Sequence, residues 1–278
     1  MKIRPFHQLD VFSSEPLLGN PLAVVHEADG LSDEAMAAFA RWTNLSETTF
    51  LLPPTKAGAD YRVRIFTPGE ELPFAGHPTL GSCQAWLLGG GAPKTDGFVV
   101  QECGIGLVRI RRDGERLAFA APPLLRGGPL DDAMLDQITR ALRIARGDIL
   151  DHQWVDNGPG FCAVRLASAA QVLALAPDFA AMGDLKLGVV APQAPGAETA
   201  FEVRAFVTPS GIDEDPVTGS LNAGLARWMI GAGHAPDSYV VAQGTALRRA
   251  GRVHVDRDGE DIWIGGASAV CIAGTVAL

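Results

Sequence analysis

One motif occurs twice in this chain, as Glu71-Leu72-Pro73-Phe74-Ala75-Gly76-His77 and as Glu214-Asp215-Pro216-Val217-Thr218-Gly219-Ser220, with the copies 143 residues apart. Each copy follows an alternating, strand-like stretch, Tyr61 to Phe66 or Phe201 to Val207. Each then runs into a helix-like segment, Pro78 to Leu88 or Leu221 to Ile230. Earlier in each half, Gly19-Asn20-Pro21 and Gly158-Pro159-Gly160 precede the runs Leu22 to Val25 and Phe161 to Val164. A period this long exceeds the roughly 20–50 residues of solenoid repeats, so it marks a duplicated domain. The length agrees, because 278 residues at about 150 per domain make two domains, each able to bury its own core.

Strand-like runs dominate both halves. In the first they extend from Ile3 to Phe12 through Leu117 to Ala120, and in the second from Phe161 to Leu166 through Ile262 to Ile264, with Gly, Pro and Asp at their ends. Ser32 to Thr43 predicts an amphipathic helix capped by Ser32, and Asp131 to Arg143 predicts another. The expected fold is α+β, with two pseudo-symmetric domains. Each is a barrel-like, mostly antiparallel sheet wrapped around one central helix. The boundaries fall at residues 1–122 and 130–265, with 266–278 a candidate to return and complete the first domain. The Pro- and Gly-rich stretch Ala121 to Pro129 is the linker, stiffened by proline into a hinge. If the halves share a site, ligand binding would close it about that hinge.

Composition narrows the partners. Hydrophobic residues are 47% and charged residues 20%, an ordinary globular balance. A net charge of −9 opposes nucleic acid or an anionic membrane as a partner. The four cysteines are far apart, without metal or redox spacing. The start, Met1-Lys2-Ile3-Arg4-Pro5, has no apolar signal core. The uncharged run Ile262 to Leu278 is 17 residues of mostly small side chains, where a membrane span needs about 20 apolar ones. Two buried strands are expected there, and the protein is expected to be cytoplasmic.

A helix start exposes unsatisfied N–H groups and a positive dipole end, suited to a carboxylate. Gly76 and Gly219 stand where the two central helices should begin, and without side chains they let a ligand approach the backbone. His77 and Ser220 hold matching positions just beyond, and Asp215 precedes its helix by a few residues. Plain capping is the competing reading. Glu47, in Asn44-Leu45-Ser46-Glu47-Thr48-Thr49-Phe50, stands just before an apolar strand. Among apolar neighbours it would be a usable acid and base. Taken alone, such a glutamate reads as a solvated surface group. No two histidines have ligand spacing, so no metal is expected. Trp86 and Trp228 are expected in the core.

As a set, these motifs resemble the PhzF family of phenazine-biosynthesis-like isomerases, related to diaminopimelate epimerase. The resemblance is carried by Gly19-Asn20-Pro21, Ser46-Glu47-Thr48-Thr49, Arg64-Ile65-Phe66-Thr67-Pro68, Gly76-His77-Pro78 and Glu214-Asp215-Pro216-Val217-Thr218-Gly219-Ser220. It implies the epimerase-like two-domain fold, a homodimer, and catalysis without a cofactor. It implies Glu47 as general acid and base, assisted by His77, Asp215 and Ser220, with Gly76, Thr218 and Gly219 contacting substrate. The implied reaction moves a proton between carbons of a small carboxylate-bearing unsaturated acid such as trans-2,3-dihydro-3-hydroxyanthranilate. A non-catalytic small-acid-binding protein, or a lyase or hydrolase using Glu47, is the alternative. The epimerase's two catalytic cysteines would fall at Ala75 and Thr218, neither of which is a thiol, so a two-thiol racemase mechanism is excluded.

Overall fold

The computed structural model describes residues 2–208 and 212–278. Met1, at the expected start of the first domain, lies outside the described residues. In chain order the first part contains β1 (Ile3–Val11), β2 (Asn20–Val25), α1 (Asp33–Thr43), β3 (Glu47–Leu52), β4 (Tyr61–Phe66), β5 (Glu71–Leu72), α2 (Gly76–Leu88), β6 (Phe98–Cys103), β7 (Gly106–Asp113) and β8 (Arg116–Ala120). There follow α3 (Asp132–Leu142), β9 (Asp151–Trp154), β10 (Phe161–Arg165), α4 (Ala169–Ala174), α5 (Phe179–Met182), β11 (Lys186–Pro192) and β12 (Phe201–Phe206). The chain ends with β13 (Glu214–Asp215), α6 (Gly219–Gly231), β14 (Ser238–Gln243), β15 (Gly251–Asp258), β16 (Asp261–Gly266) and β17 (Ser268–Ala277). It divides into two compact units. One runs through Ala120 and is joined by Gly265–Leu278; the other is Ala121–Ile264.

The duplication is written into the strand pairing. In the first unit β1–β2 is antiparallel, β2–β3 parallel, β3–β4 antiparallel, β4–β6 parallel and β6–β7 antiparallel. In the second unit β9–β10, β10–β11, β11–β12, β12–β14 and β14–β15 repeat that alternation step for step. The two-residue strands β5 and β13, which open the two motif copies, pair with the ends of β4 and β12. The first unit is extended by β8 on β7 and by β17 on β1, both antiparallel.

Each unit is built around one helix. From Gly76 to Cys83 every residue of α2 is buried, as befits a helix enclosed by its sheet rather than laid upon it. It packs against β1, β2, β3, β4, β6, β8 and β17. By contrast α1 buries only the face carrying Met36, Phe39 and Ala40, and Ser32 caps it by accepting from the Ala35 N–H. The enclosed helices need glycine where strands crowd them. A methyl at Gly81 would strike the Leu22 and Val11 side chains, and one at Gly224 the Val155 carbonyl. In the second unit α3, α4 and α5 cover a separate core of Leu135, Ile138, Leu142, Val164, Val172, Leu187, Val189 and Phe206.

One expectation changes. The uncharged C-terminal run does form two strands, but only the first is buried. Ile262, Trp263 and Ile264 are inside, whereas Val270 and Ile272 on β17 are 38% and 52% exposed. The linker stretch is fastened to the second unit. Ala121 N–H bonds to the Ile262 carbonyl, Leu125 and Arg126 N–H bond to the Asp156 carbonyl, and the Arg227 guanidinium holds the Ala121 and Pro122 carbonyls. Arg126 also lies over the Trp154 ring at 3.5 Å. Among the described residues no helix is long and apolar enough to cross a membrane.

A histidine pair joins β1 to the end of β2, with His7 Nδ1 2.8 Å from His26 Nε2. Burial, and then the neighbouring His7, push the His26 pKa from 6.5 down to about 4. As pH falls below 6.5, an unfolded chain takes up this proton while the folded chain refuses it until about pH 4. Stability must therefore fall with falling pH across that window. The melting temperature is expected to drop between pH 6.5 and about 5, above the ordinary carboxylate range, with a shallower slope in His26→Gln. An unchanged slope in that variant would contradict this account.

Candidate active site

In the first unit the site is assembled from three starts: those of β2, β3 and α2. Helix α1 ends at Asn44, whose left-handed backbone (φ 54°) and N–H bond to Ala40 O close the last turn. Three residues later β3 begins with Glu47, in register with Leu22 on the parallel strand β2. The residues around Glu47 are pinned. Ser46 Oγ lies 3.5 Å from Asn20 Oδ1, Thr48 Oγ1 lies 2.8 Å from Thr43 Oγ1, and Thr49 Oγ1 accepts from Ser82 Oγ of α2 at 2.8 Å. His77, second residue of α2, presents Nε2 to Glu47 Oε2 at 3.4 Å, and the two side chains are 5% and 15% exposed. The solvated-surface reading of Glu47 is thereby overturned, because strand pairing and the central helix enclose it. Burial pushes the His77 pKa down to about 3, so the imidazole beside Glu47 is neutral at physiological pH.

The corresponding place in the second unit holds Asp215, Thr218, Gly219 and Ser220. Thr218 is the N-cap residue of α6, yet its side chain makes no cap bond. Its hydroxyl donates to Asp215 Oδ2 at 2.5 Å. Ala75, before α2, has no side chain able to cap either. Both central helices therefore begin without a hydrogen bond from an N-cap side chain. Ser220 lies within the first turn rather than capping it, and its carbonyl accepts from Asn157 Nδ2 at 2.9 Å.

Two glutamines organise these starts, and no sequence signal singled them out. Gln243, fully buried, accepts from Thr218 N–H at 3.1 Å and Asn222 Nδ2 at 2.8 Å, and donates to Asp215 O at 3.2 Å and Thr218 Oγ1 at 3.0 Å. Its counterpart Gln101, equally buried, accepts from Tyr61 Oη at 2.8 Å and donates to Thr79 Oγ1 of α2 at 3.0 Å. Each occupies the same strand of its repeat and fixes the opening turn of its helix. Only the long-range strand register brings them there.

The repeated glutamates are structural. Glu71 takes a two-pronged bond from Arg64, at 2.7 and 2.5 Å, and Glu214 one from Arg204, at 3.0 and 2.7 Å. In each case the guanidinium also lies over a phenylalanine two residues on, Phe66 at 5.0 Å and Phe206 at 4.9 Å. The pair ties the short motif strand to its long neighbour.

Cys83, Cys103 and Cys162 are buried. Burial pushes the Cys162 pKa up to about 12 and raises those of Cys83 and Cys103 as well, and a thiol so held is a poor nucleophile. Alkylating the folded protein is expected to leave turnover unchanged. Stoichiometric inactivation that substrate prevents would instead implicate a thiol. Among the described residues no three His, Cys, Asp or Glu side chains converge as a metal-ligand group.

Residues 9–276 match the family model described as phenazine biosynthesis-like protein. The chain belongs to that family. It is 36% identical over 255 residues to trans-2,3-dihydro-3-hydroxyanthranilate isomerase of Pseudomonas aeruginosa, covering 90% of this chain and 89% of that one. It is also 36% identical over 292 residues to the Antisense-enhancing sequence 1 protein of Schizosaccharomyces pombe, covering 97% of each. Among solved structures, the phenazine biosynthesis protein of the PhzF family from Bacillus anthracis shares the fold, with a TM-score of 0.84 at 23% identity over the whole of both chains. The protein is thus a PhzF-like isomerase of the α+β, epimerase-like class.

Proposed function

We propose that this PhzF-like isomerase moves a proton between two carbons of a small, unsaturated, carboxylate-bearing acid, with Glu47 as the single acid and base. The observation that carries the proposal is the Glu47 carboxylate, 15% exposed and 3.4 Å from a neutral His77, beside the uncapped start of α2. The substrate carboxylate would take the open N–H groups of a helix start. The Glu47 carboxylate then accepts a proton from carbon, and the C–H bonding pair moves into the conjugated system as the double bond shifts. The protonated Glu47, whose carboxyl proton exchanges with water before the second transfer, delivers a proton to a different carbon, so substrate and product have one formula and no redox partner is involved. A neutral imidazole 3.4 Å away places no cationic charge beside the carboxylate, and no hydrogen bond joins Nε2 to Oε2 in this structure. With Ala75 and Thr218 at the epimerase cysteine positions, one base serving one face favours isomerisation over inversion.

In the second unit, Asp215 and Ser220 would assist Glu47 in the proton transfer, and the protein would work as a cytoplasmic homodimer; the resemblance to the family supports these readings. Trans-2,3-dihydro-3-hydroxyanthranilate, the compound named for the Pseudomonas relative, is the first substrate to try. In heavy water the product should gain deuterium at one carbon, read by mass spectrometry and NMR. Binding of such acids without any carbon exchange would sink the isomerase reading and favour a small-acid-binding protein.

A further inference from the structure

Around Glu47 and His77 the contacts close into a ring whose fourth member, Asn20, has no role in the reading above. We infer that Asn20 is a positioning residue that fixes His77 in the tautomer with its hydrogen on Nε2, so that this hydrogen faces the Glu47 carboxylate. The inference rests on the proposed roles of Glu47 and His77 for its catalytic meaning, but the tautomer itself can be tested without substrate.

Ser46 Oγ lies 3.5 Å from Asn20 Oδ1, and Asn20 Nδ2 lies 3.4 Å from His77 Nδ1. An amide nitrogen can only donate, so His77 Nδ1 must offer its lone pair. A neutral imidazole has one ring hydrogen, which is then on Nε2; the Glu47 Oε2 atom, which can only accept, lies 3.4 Å from it, near enough to favour that hydrogen though no hydrogen bond is formed in this structure. The opposite amide orientation would aim Oδ1 at Nδ1 and draw the hydrogen there. It would leave two lone pairs facing each other between Nε2 and Glu47. Ser46 and Glu47 are adjacent in the chain, so strand β3 holds both ends of the ring.

Asn20 is placed with little freedom. It is fully buried, is in register with Val11, and follows Gly19, whose N–H bonds to Asp10 Oδ2 at 3.2 Å. A side chain at Gly19 would collide with the Val11 carbonyl. In the second unit Asn157 sends its amide to the helix start as well, but to the Ser220 carbonyl. Where the repeat carries serine in place of histidine, there is no ring to orient, and the amide holds backbone instead.

The test uses NMR of the protein labelled with ¹⁵N in its histidine rings. Wild type should show His77 with hydrogen on Nε2 alone. In Asn20→Asp the amide donor becomes an acceptor of the same shape, so hydrogen should move onto Nδ1; in Asn20→Ala both tautomers should be populated. With substrate, Asn20→Asp should lose roughly tenfold or more in kcat with little change in KM, since a wrong tautomer spoils acid–base geometry while leaving binding intact. Hydrogen on Nδ1 in wild type, or an unmoved hydrogen in Asn20→Asp, overturns the inference. A moved hydrogen with wild-type turnover would uphold it and count instead against the catalytic role given to His77. If Asn20→Asp fails to fold, the wild-type and Asn20→Ala spectra still decide.

Discussion

Replacing Glu47 with glutamine is expected to slow deuterium incorporation and turnover by at least about 10²–10⁴, the usual contribution of general acid–base catalysis. The loss should be at the upper end, because one carboxylate serves both proton removal and proton return. Glutamine keeps the shape of the side chain and can still face His77 Nε2, but it has no basic oxygen for a carbon-bound proton. Folding should survive, since Thr48 and Thr49, which anchor the strand to Thr43 and Ser82, are untouched. Calorimetry should find the substrate acid bound nearly as tightly as in wild type. Wild-type exchange in Glu47→Gln would remove the central claim, whereas loss of binding along with rate would make Glu47 a binding group.

The second large effect concerns stability, and it separates two pairs that look alike in sequence. Arg204 and Glu214 are 7% and 6% exposed, and Arg204 also donates to the Val172 and Leu175 carbonyls. Arg64 and Glu71, their counterparts, are 21% and 41% exposed. Arg204→Met should strand a buried carboxylate and two carbonyls, costing about 3–5 kcal/mol. Arg64→Met removes a more exposed, solvent-screened pair and should cost only about 0–1 kcal/mol. Combining Arg204→Met with Glu214→Leu should recover much of the loss, because a buried pair replaced whole by apolar groups is often neutral. Denaturant unfolding of the four proteins gives the comparison. Equal, small losses for the two arginine variants would mean that burial does not set the worth of the repeated pair.

That contrast shows where local sequence information ends. The alternation of Tyr61 to Phe66 gave a strand of those bounds, and Ser32 and Asp131 capped the helices they preceded, because periodicity and capping act within a few residues. The repeated motif marked two helix starts, and both are there at Gly76 and Gly219. Polar and part-exposed strands escaped, such as Asp151–Trp154, whose residues show no alternation. Glu47 read as a surface group because its enclosing partners, Asn20 and His77, come from other elements. Gln101 and Gln243 were silent for the same reason; the return of 266–278 to the first domain was an expectation from sequence, but its strand partner there, Ile3–Val11, was not. The sequence by itself determined the elements, their repetition and the family; the tertiary structure decided which polar groups are buried and what they touch. Hydrophobic period and capping are properties of neighbours in the chain, whereas desolvation and hydrogen-bond partnership belong to neighbours in space.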